Sequence, residues 1–219
     1  MKTFNKTLIA AATITTFGLA AAPAAVALDA SASVATSYLW RGLDLGSGTP
    51  ALSADVSGSV GDVSYGLWVS SGDNSAGTEY DLYASYGGEA GGLSYSVGFA
   101  QYNYPTMDAD ADAAGFQGGK AEDVIYSLGF SGITATVYDA EDSDFGAAYN
   151  TLSFDLGSVG VLLGDHDNQG DDGTTEMSHL DLTYSVNDSL SFTVSTIVSS
   201  SFEADETDTT VVASYSLPF

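Results

Sequence analysis

Five aspartates, Asp55, Asp81, Asp123, Asp155 and Asp181, each sit in a stretch that alternates between apolar and small or polar residues. In every case the aspartate falls in the polar phase, with Ser, Thr or Gly for company. His179 shares that phase beside Asp181, and Arg41, the sole arginine, falls in the same phase of its own stretch. Carboxylates gathered on one polar wall favour cations, as acidic rings do in channels. A lone guanidinium among them reads first as a counter-charge, because Arg is always ionised and forks onto carboxylates. Its other use is as a handle for an anionic group of a solute.

A second cluster lies between two such stretches. Asp165, Asp167, Gln169, Gly170 and Glu176 nearly match the calcium-loop pattern D-x-[DN]-x-[DN]-G-x₅-E, with Gln169 in the place of the fifth-position Asp or Asn. The flanks read as strands, so the surrounding fold is not an EF-hand. Asp165, Asp167, Gln169 and Glu176 are therefore the candidate calcium ligands, and a solvated acidic loop is the plain alternative. No other cofactor is expected. Enzyme chemistry fares poorly: neither G-x-S-x-G nor H-E-x-x-H occurs, and the two histidines are His166 and His179. Ser178 directly precedes His179, so in a strand the two point to opposite faces and cannot act as nucleophile and base.

The elements that must position these residues are strands. Period-two alternation predicts them at Ser31–Leu43, Ala51–Val60, Val63–Ser71, Glu79–Tyr86, Leu93–Tyr102 and Glu122–Phe130. The second half adds Ile133–Ala140, Ala147–Leu156, Val159–Gly164, Met177–Val186, Leu190–Ser199 and the terminal stretch from Thr209. Gly61-Asp62, Gly87–Gly92, Ser131-Gly132, Gly157-Ser158 and Asn187–Ser189 are short turns between them. The other gaps are mostly longer and polar or acidic, and the longest, Asn103–Ala121, is a candidate constriction. Short turns at one end, long loops at the other and an even strand count predict an all-β, transmembrane, antiparallel up-and-down β-barrel of about 12 strands. The short turns are expected on the periplasmic side and the long loops outside. The inward phase is mostly small: Ser33, Ser57, Gly66, Ser96, Ser127 and Thr183 are examples. Twelve strands lie between barrels filled by side chains and barrels that hold a water channel.

The ends of the chain agree with this. Lys2 and Lys6, an apolar stretch from Leu8 to Ala22 and the A-x-A site Ala25-Val26-Ala27 predict a secretory signal peptide over residues 1–27 and a barrel domain over 28–219. With the signal removed, Arg41 and Lys120 face 29 acidic residues, a net charge of −27. Such a chain does not bind nucleic acid through its phosphates. The 13 Tyr and 10 Phe of the full sequence argue for a folded protein, and no Cys is present for disulfides or thiolate metal sites. At the other end Tyr215, Leu217 and Phe219 share one face of a strand that stops on an aromatic. That pattern resembles the signal by which outer-membrane barrels are assembled. Outer-membrane lipid with lipopolysaccharide, the barrel-assembly machinery, and small solutes or cations are the partners expected.

Ser37-Tyr38-Leu39-Trp40-Arg41-Gly42, followed by Pro50-Ala51 and by Tyr65-Gly66-Leu67-Trp68, resembles the TorF-type porin family. Members carry an S-x-Y-x-x-R-G strand near the mature N-terminus and a G-x-W segment one hairpin later; here Thr36 stands at the serine position. The resemblance covers about the first third of the chain. It implies an exported Gram-negative barrel whose substrate is undefined. The function expected is an outer-membrane porin, not an enzyme, passing small hydrophilic solutes or ions with a preference for cations. The alternative is a non-conducting structural or adhesive surface barrel whose acidic loops bind divalent cations.

Overall fold

The computed structural model describes residues 28–106, 120–141, 148–167, 176–200 and 209–219. The signal-peptide segment, Gln169 and most of the Asn103–Ala121 stretch lie outside the described residues.

Alternation becomes a wall because each strand finds antiparallel partners on both sides. The wall strands are β1 (Leu28–Ala35), β4 (Ala51–Val60), β5 (Val63–Asp73), β6 (Gly77–Ala90), β7 (Leu93–Asn103) and β8 (Lys120–Phe130). They continue as β9 (Ile133–Glu141), β10 (Ala148–Leu156), β11 (Val159–Asp167), β12 (Met177–Ser185), β13 (Leu190–Ser200) and β14 (Thr209–Pro218). Each pairs with its neighbour in the chain, and β14 pairs with β1 to close a barrel of 12 strands. Closure leaves no unpaired edge, which is the condition for β-structure in lipid. The outer face is apolar: Leu52, Leu82, Tyr126, Leu128 and Phe130 are all about half exposed or more. The inner face is polar. That inversion is the mark of a barrel that spans a membrane.

The tight turns sit together at one end. Ser131-Gly132 has φ of 53° and 83°, and Gly91-Gly92 has 63° and 83°. Positive φ at both central residues matches the twist of the flanking strands. At Asn187 the side-chain Oδ1 accepts from the Ser189 and Leu190 amides, both at 2.9 Å. The start of β1 and the C-terminus come to this side: the Phe219 amide donates to the Ala30 carbonyl.

Three predicted boundaries need correction. The turn expected over Gly87–Gly92 is only its last two residues, since β6 runs on to Ala90. The strand expected to stop at Gly164 continues to Asp167, so Asp165, His166 and Asp167 belong to the wall and not to a loop. The largest correction is at the start. The first strand was expected to run from Ser31 to Leu43 but leaves the wall after Ala35. The Thr36 amide still bonds the Ala213 carbonyl, and the chain then turns away. It forms a small hairpin of β2 (Leu39–Trp40) and β3 (Leu43–Asp44), with Trp40 opposite Leu43 and Arg41-Gly42 at the tip. The φ values of Arg41 (48°) and Gly42 (85°) cannot occur in a strand and do occur in a two-residue turn.

Candidate functional site

The hairpin does not project from the barrel. Its contacts come from inward side chains on every strand from β5 to β12, which places it inside the lumen at the long-loop end. Tyr38 packs on Trp68 of β5, ring centroids 5.9 Å apart, and donates to Glu79 Oε2 of β6 at 2.6 Å. Arg41 Nη2 donates to Tyr102 of β7 at 3.1 Å and pairs with Asp123 of β8. The guanidinium lies over Tyr138 of β9 and Tyr149 of β10, with its own neighbour Trp40 on another side. His166 Nε2 of β11 donates to the Arg41 carbonyl at 2.8 Å. Gly42 lies against His179 of β12 so closely that a Cβ there would collide with the imidazole.

Other polar groups brace the hairpin from above. The Ser37 hydroxyl donates to Asp44 and accepts from the Gly48 amide. Asn74, in the β5–β6 connection, donates through its side chain to the Gly46 carbonyl at 2.7 Å and through its amide to the Leu45 carbonyl. Tyr104 donates to the other oxygen of Glu79 at 2.7 Å, so a carboxylate with no exposed surface is satisfied by two phenols. Burial and the Glu79 charge push the Tyr38 and Tyr104 phenols well above their ordinary values, so both stay protonated and donate. Burial opposes the charge on Arg41, but Tyr102 and Asp123 more than offset it, and its pKa is raised.

The predicted residues are thus divided. Arg41 is not on the wall; it is at the tip of the inserted hairpin, joined to Asp123. Asp55 accepts from Tyr83 at 2.6 Å. Asp81 is buried, and its Oδ1 has no hydrogen-bond partner among the described residues. Asp181 accepts from His179 Nδ1 at 2.9 Å. Asp155 lies opposite Gly160, close to the turn end, and is exposed. The five carboxylates thus share the inward phase without lying at one level: Asp155 is close to the turn end, apart from the rest. The lumen beside Asp155 is walled by small groups, with hydroxyl pairs such as Ser127–Thr136 at 3.1 Å and Thr183–Thr193 at 2.9 Å.

The candidate calcium ligands do not come together among the described residues. Asp165 is on the outer face, exposed, and accepts from Ser178 at 2.6 Å. Asp167 ends β11 in the same phase, Glu176 precedes β12, and Gln169 is not described. No group of three His, Asp or Glu side chains suited to a metal occurs among the described residues.

Sequence reasoning missed the lumenal tyrosines. Tyr83, Tyr102, Tyr138 and Tyr149 are in the polar phase, where small residues prevail, and an aromatic out of phase with its apolar neighbours was the signal available. It also missed Glu79 and the line formed by Tyr149, His179 and Asp181. Tyr149 Oη is 2.9 Å from His179 Nε2, and His179 keeps the inward phase that alternation with Asp181 and Thr183 gives it. This hydroxyl–imidazole–carboxylate order can hold a proton and orient a ring. His179 is fully buried under Gly42.

A family model described as "Bacterial protein of unknown function (Gcw_chp)" matches residues 19–208. No curated protein matches. Among solved structures, outer membrane phospholipase A from Escherichia coli is similar at 10% identity and a TM-score of 0.46, over 86% of this chain and 88% of that one. The Salmonella typhi outer membrane phospholipase dimer with bound calcium is similar at 10% identity and a TM-score of 0.47, over 90% and 93%.

Proposed function

This chain belongs to the Gcw_chp family of bacterial proteins, and we propose that it acts in the outer membrane as a narrow passive pore, closed down at its mouth by its own hairpin and selective for cations. One observation carries the reading: the closure is polar. An ion pair, the Tyr38–Glu79 bond and a histidine–carbonyl bond seat a small hairpin above a wall of Ser, Thr and Gly, a polar interior of the kind that barrel channels have. The porin activity implied by the TorF-type resemblance is proposed on the same ground.

Cation preference follows from the charge. Arg41 is neutralised by Asp123, and Asp55 and Asp155 face the lumen without a cationic partner among the described residues. The reversal potential across a salt gradient is expected to report cation selectivity in dilute salt. It should fade as the Debye length falls from about 10 Å at 0.1 M to about 3 Å at 1 M. Asp55→Asn combined with Asp155→Asn should weaken it. Anion selectivity of the folded barrel would overturn this. The seated hairpin also supports the second reading, a closed surface barrel. Absence of current even after the hairpin is released would select it.

The terminal strand supports an interaction with the assembly machinery. Val211, Tyr215 and Leu217 face outward, β14 forms the closing seam with β1, and Phe219 is 81% exposed. Phe219→Asp is expected to lower the amount of heat-modifiable barrel in the outer membrane several-fold. Wild-type levels of that variant would remove the assembly role from Phe219.

A further inference from the structure

The Arg41 guanidinium is held as a ligand is held. Tyr102, Tyr138 and Tyr149 surround it, with its carbon 5.7, 4.7 and 4.9 Å from the ring centroids. Asp123 supplies the counter-charge, and the Tyr102 hydroxyl, accepting from Nη2, donates in turn to Asp123 Oδ2 at 2.8 Å. These four groups come from β7, β8, β9 and β10, all in the barrel wall. The guanidinium comes from the hairpin, and so does Trp40, whose ring centroid is 4.5 Å from the guanidinium carbon and which would leave with it. Aromatic faces around a carboxylate are a recognised way to bind organic cations, because ring quadrupoles and a fixed anion both favour positive charge out of water.

We propose that Tyr102, Tyr138, Tyr149 and Asp123 form a binding site for a guanidinium-bearing solute, which Arg41 occupies as a tethered ligand of the same chemistry. Two features select a guanidinium over other cations. The Tyr102 hydroxyl and Asp123 Oδ2 present adjacent acceptors, which N–H groups use and a quaternary ammonium cannot. The tyrosine rings flank a flat cation, which a hydrated metal ion is not. A solute that replaces Arg41 removes the contact that anchors the hairpin tip, so binding and opening are one exchange. The opening step rests on the pore reading above; the site itself does not.

The test uses the full-length barrel carrying Arg41→Ala, purified in detergent, with ethylguanidinium chloride as the probe. Millimolar ethylguanidinium should raise the thermal midpoint of Arg41→Ala and leave wild type unmoved, because a ligand that binds only the folded state stabilises it by mass action. Equal concentrations of sodium or tetramethylammonium chloride should do less. The Arg41→Ala/Asp123→Asn double variant should lose the response. If Arg41→Ala does not fold alone, its folding yield with and without ethylguanidinium becomes the readout, and rescue supports the site. No stabilisation and no rescue, or an equal response to sodium, overturns it. Conductance separates the two ideas: in bilayers ethylguanidinium should lower the current through Arg41→Ala. Stabilisation of a barrel that carries no current upholds the site and overturns the pore.

Discussion

Arg41→Ala is expected to raise single-channel conductance several-fold over wild type and to destabilise the long-loop end of the barrel by about 3–5 kcal/mol. Two losses combine. Asp123, whose side chain is only 4% exposed, is left as a buried charge without its cation. Removing one member of a buried pair costs far more than the pair contributes, because the partner keeps its desolvation penalty. The contacts with Tyr138 and Tyr149 add about 0.5–2 kcal/mol each where the cation is desolvated. Asp123→Asn should act in the same direction and by less, since an amide oxygen still accepts from the guanidinium. The double variant should lose less than the sum of the singles, because the two residues share one interaction. Urea unfolding in detergent micelles and single-channel recording read the two effects separately. Wild-type conductance together with wild-type stability in Arg41→Ala would show that the hairpin neither closes the mouth nor depends on its tip.

Gly42→Val should release the hairpin almost as fully, by a different route. Gly42 has φ of 85°, where an L-residue is strained by about 1–3 kcal/mol. A Cβ at this position would also run into Cβ, Cγ and Cδ2 of the His179 ring. That ring cannot step aside, since its two nitrogens are tied to Tyr149 and Asp181. The tip must therefore move. Gly48 is the internal control: its φ is 74°, but nothing lies near a Cβ built on it. Gly48→Val carries the backbone strain without the collision. Trp40, beside Arg41, reports the outcome, because its emission shifts to the red on leaving the lumen. Gly42→Val should show that shift and a raised conductance, and Gly48→Val neither. Identical behaviour of the two variants would mean that His179 does not hold the tip.

Tyr38 shows where local reading stopped. Its even spacing from Val34 and Thr36 puts it on the outward, lipid-facing row of the strand expected over Ser31–Leu43. In the structure it is 3% exposed and bonded to Glu79, 41 residues away. Trp40 falls on the same row by spacing and lies against the Arg41 guanidinium inside the barrel as well. Nothing in the alternation of residues 31–43 announces the departure after Ala35. The Arg-Gly pair at 41–42 was a sign of a turn, since glycine readily takes positive φ. The period-two pattern runs on through it, so alternation alone keeps it in a strand. By contrast β7 is confirmed nearly to the residue, because its outward Leu93, Tyr95, Val97 and Phe99 are constrained on both sides by strands of the same phase.

The sequence by itself determined the barrel: its strand number, the apolar exterior, the end that carries the tight turns, and the phase that puts Asp55, Asp81, Asp123, Asp155 and Asp181 inside. These are properties of period two and of turn residues, and each is settled within ten residues of chain. Only the tertiary structure decided what those inward residues meet. Phase says that a side chain enters the lumen and says nothing about what faces it. Arg41 meets Asp123 across 82 residues, and its carbonyl meets His166 across 125. Those partners exist only once the wall has closed and the segment after Ala35 has folded in, bringing the single arginine of a strongly acidic chain to the carboxylate of Asp123.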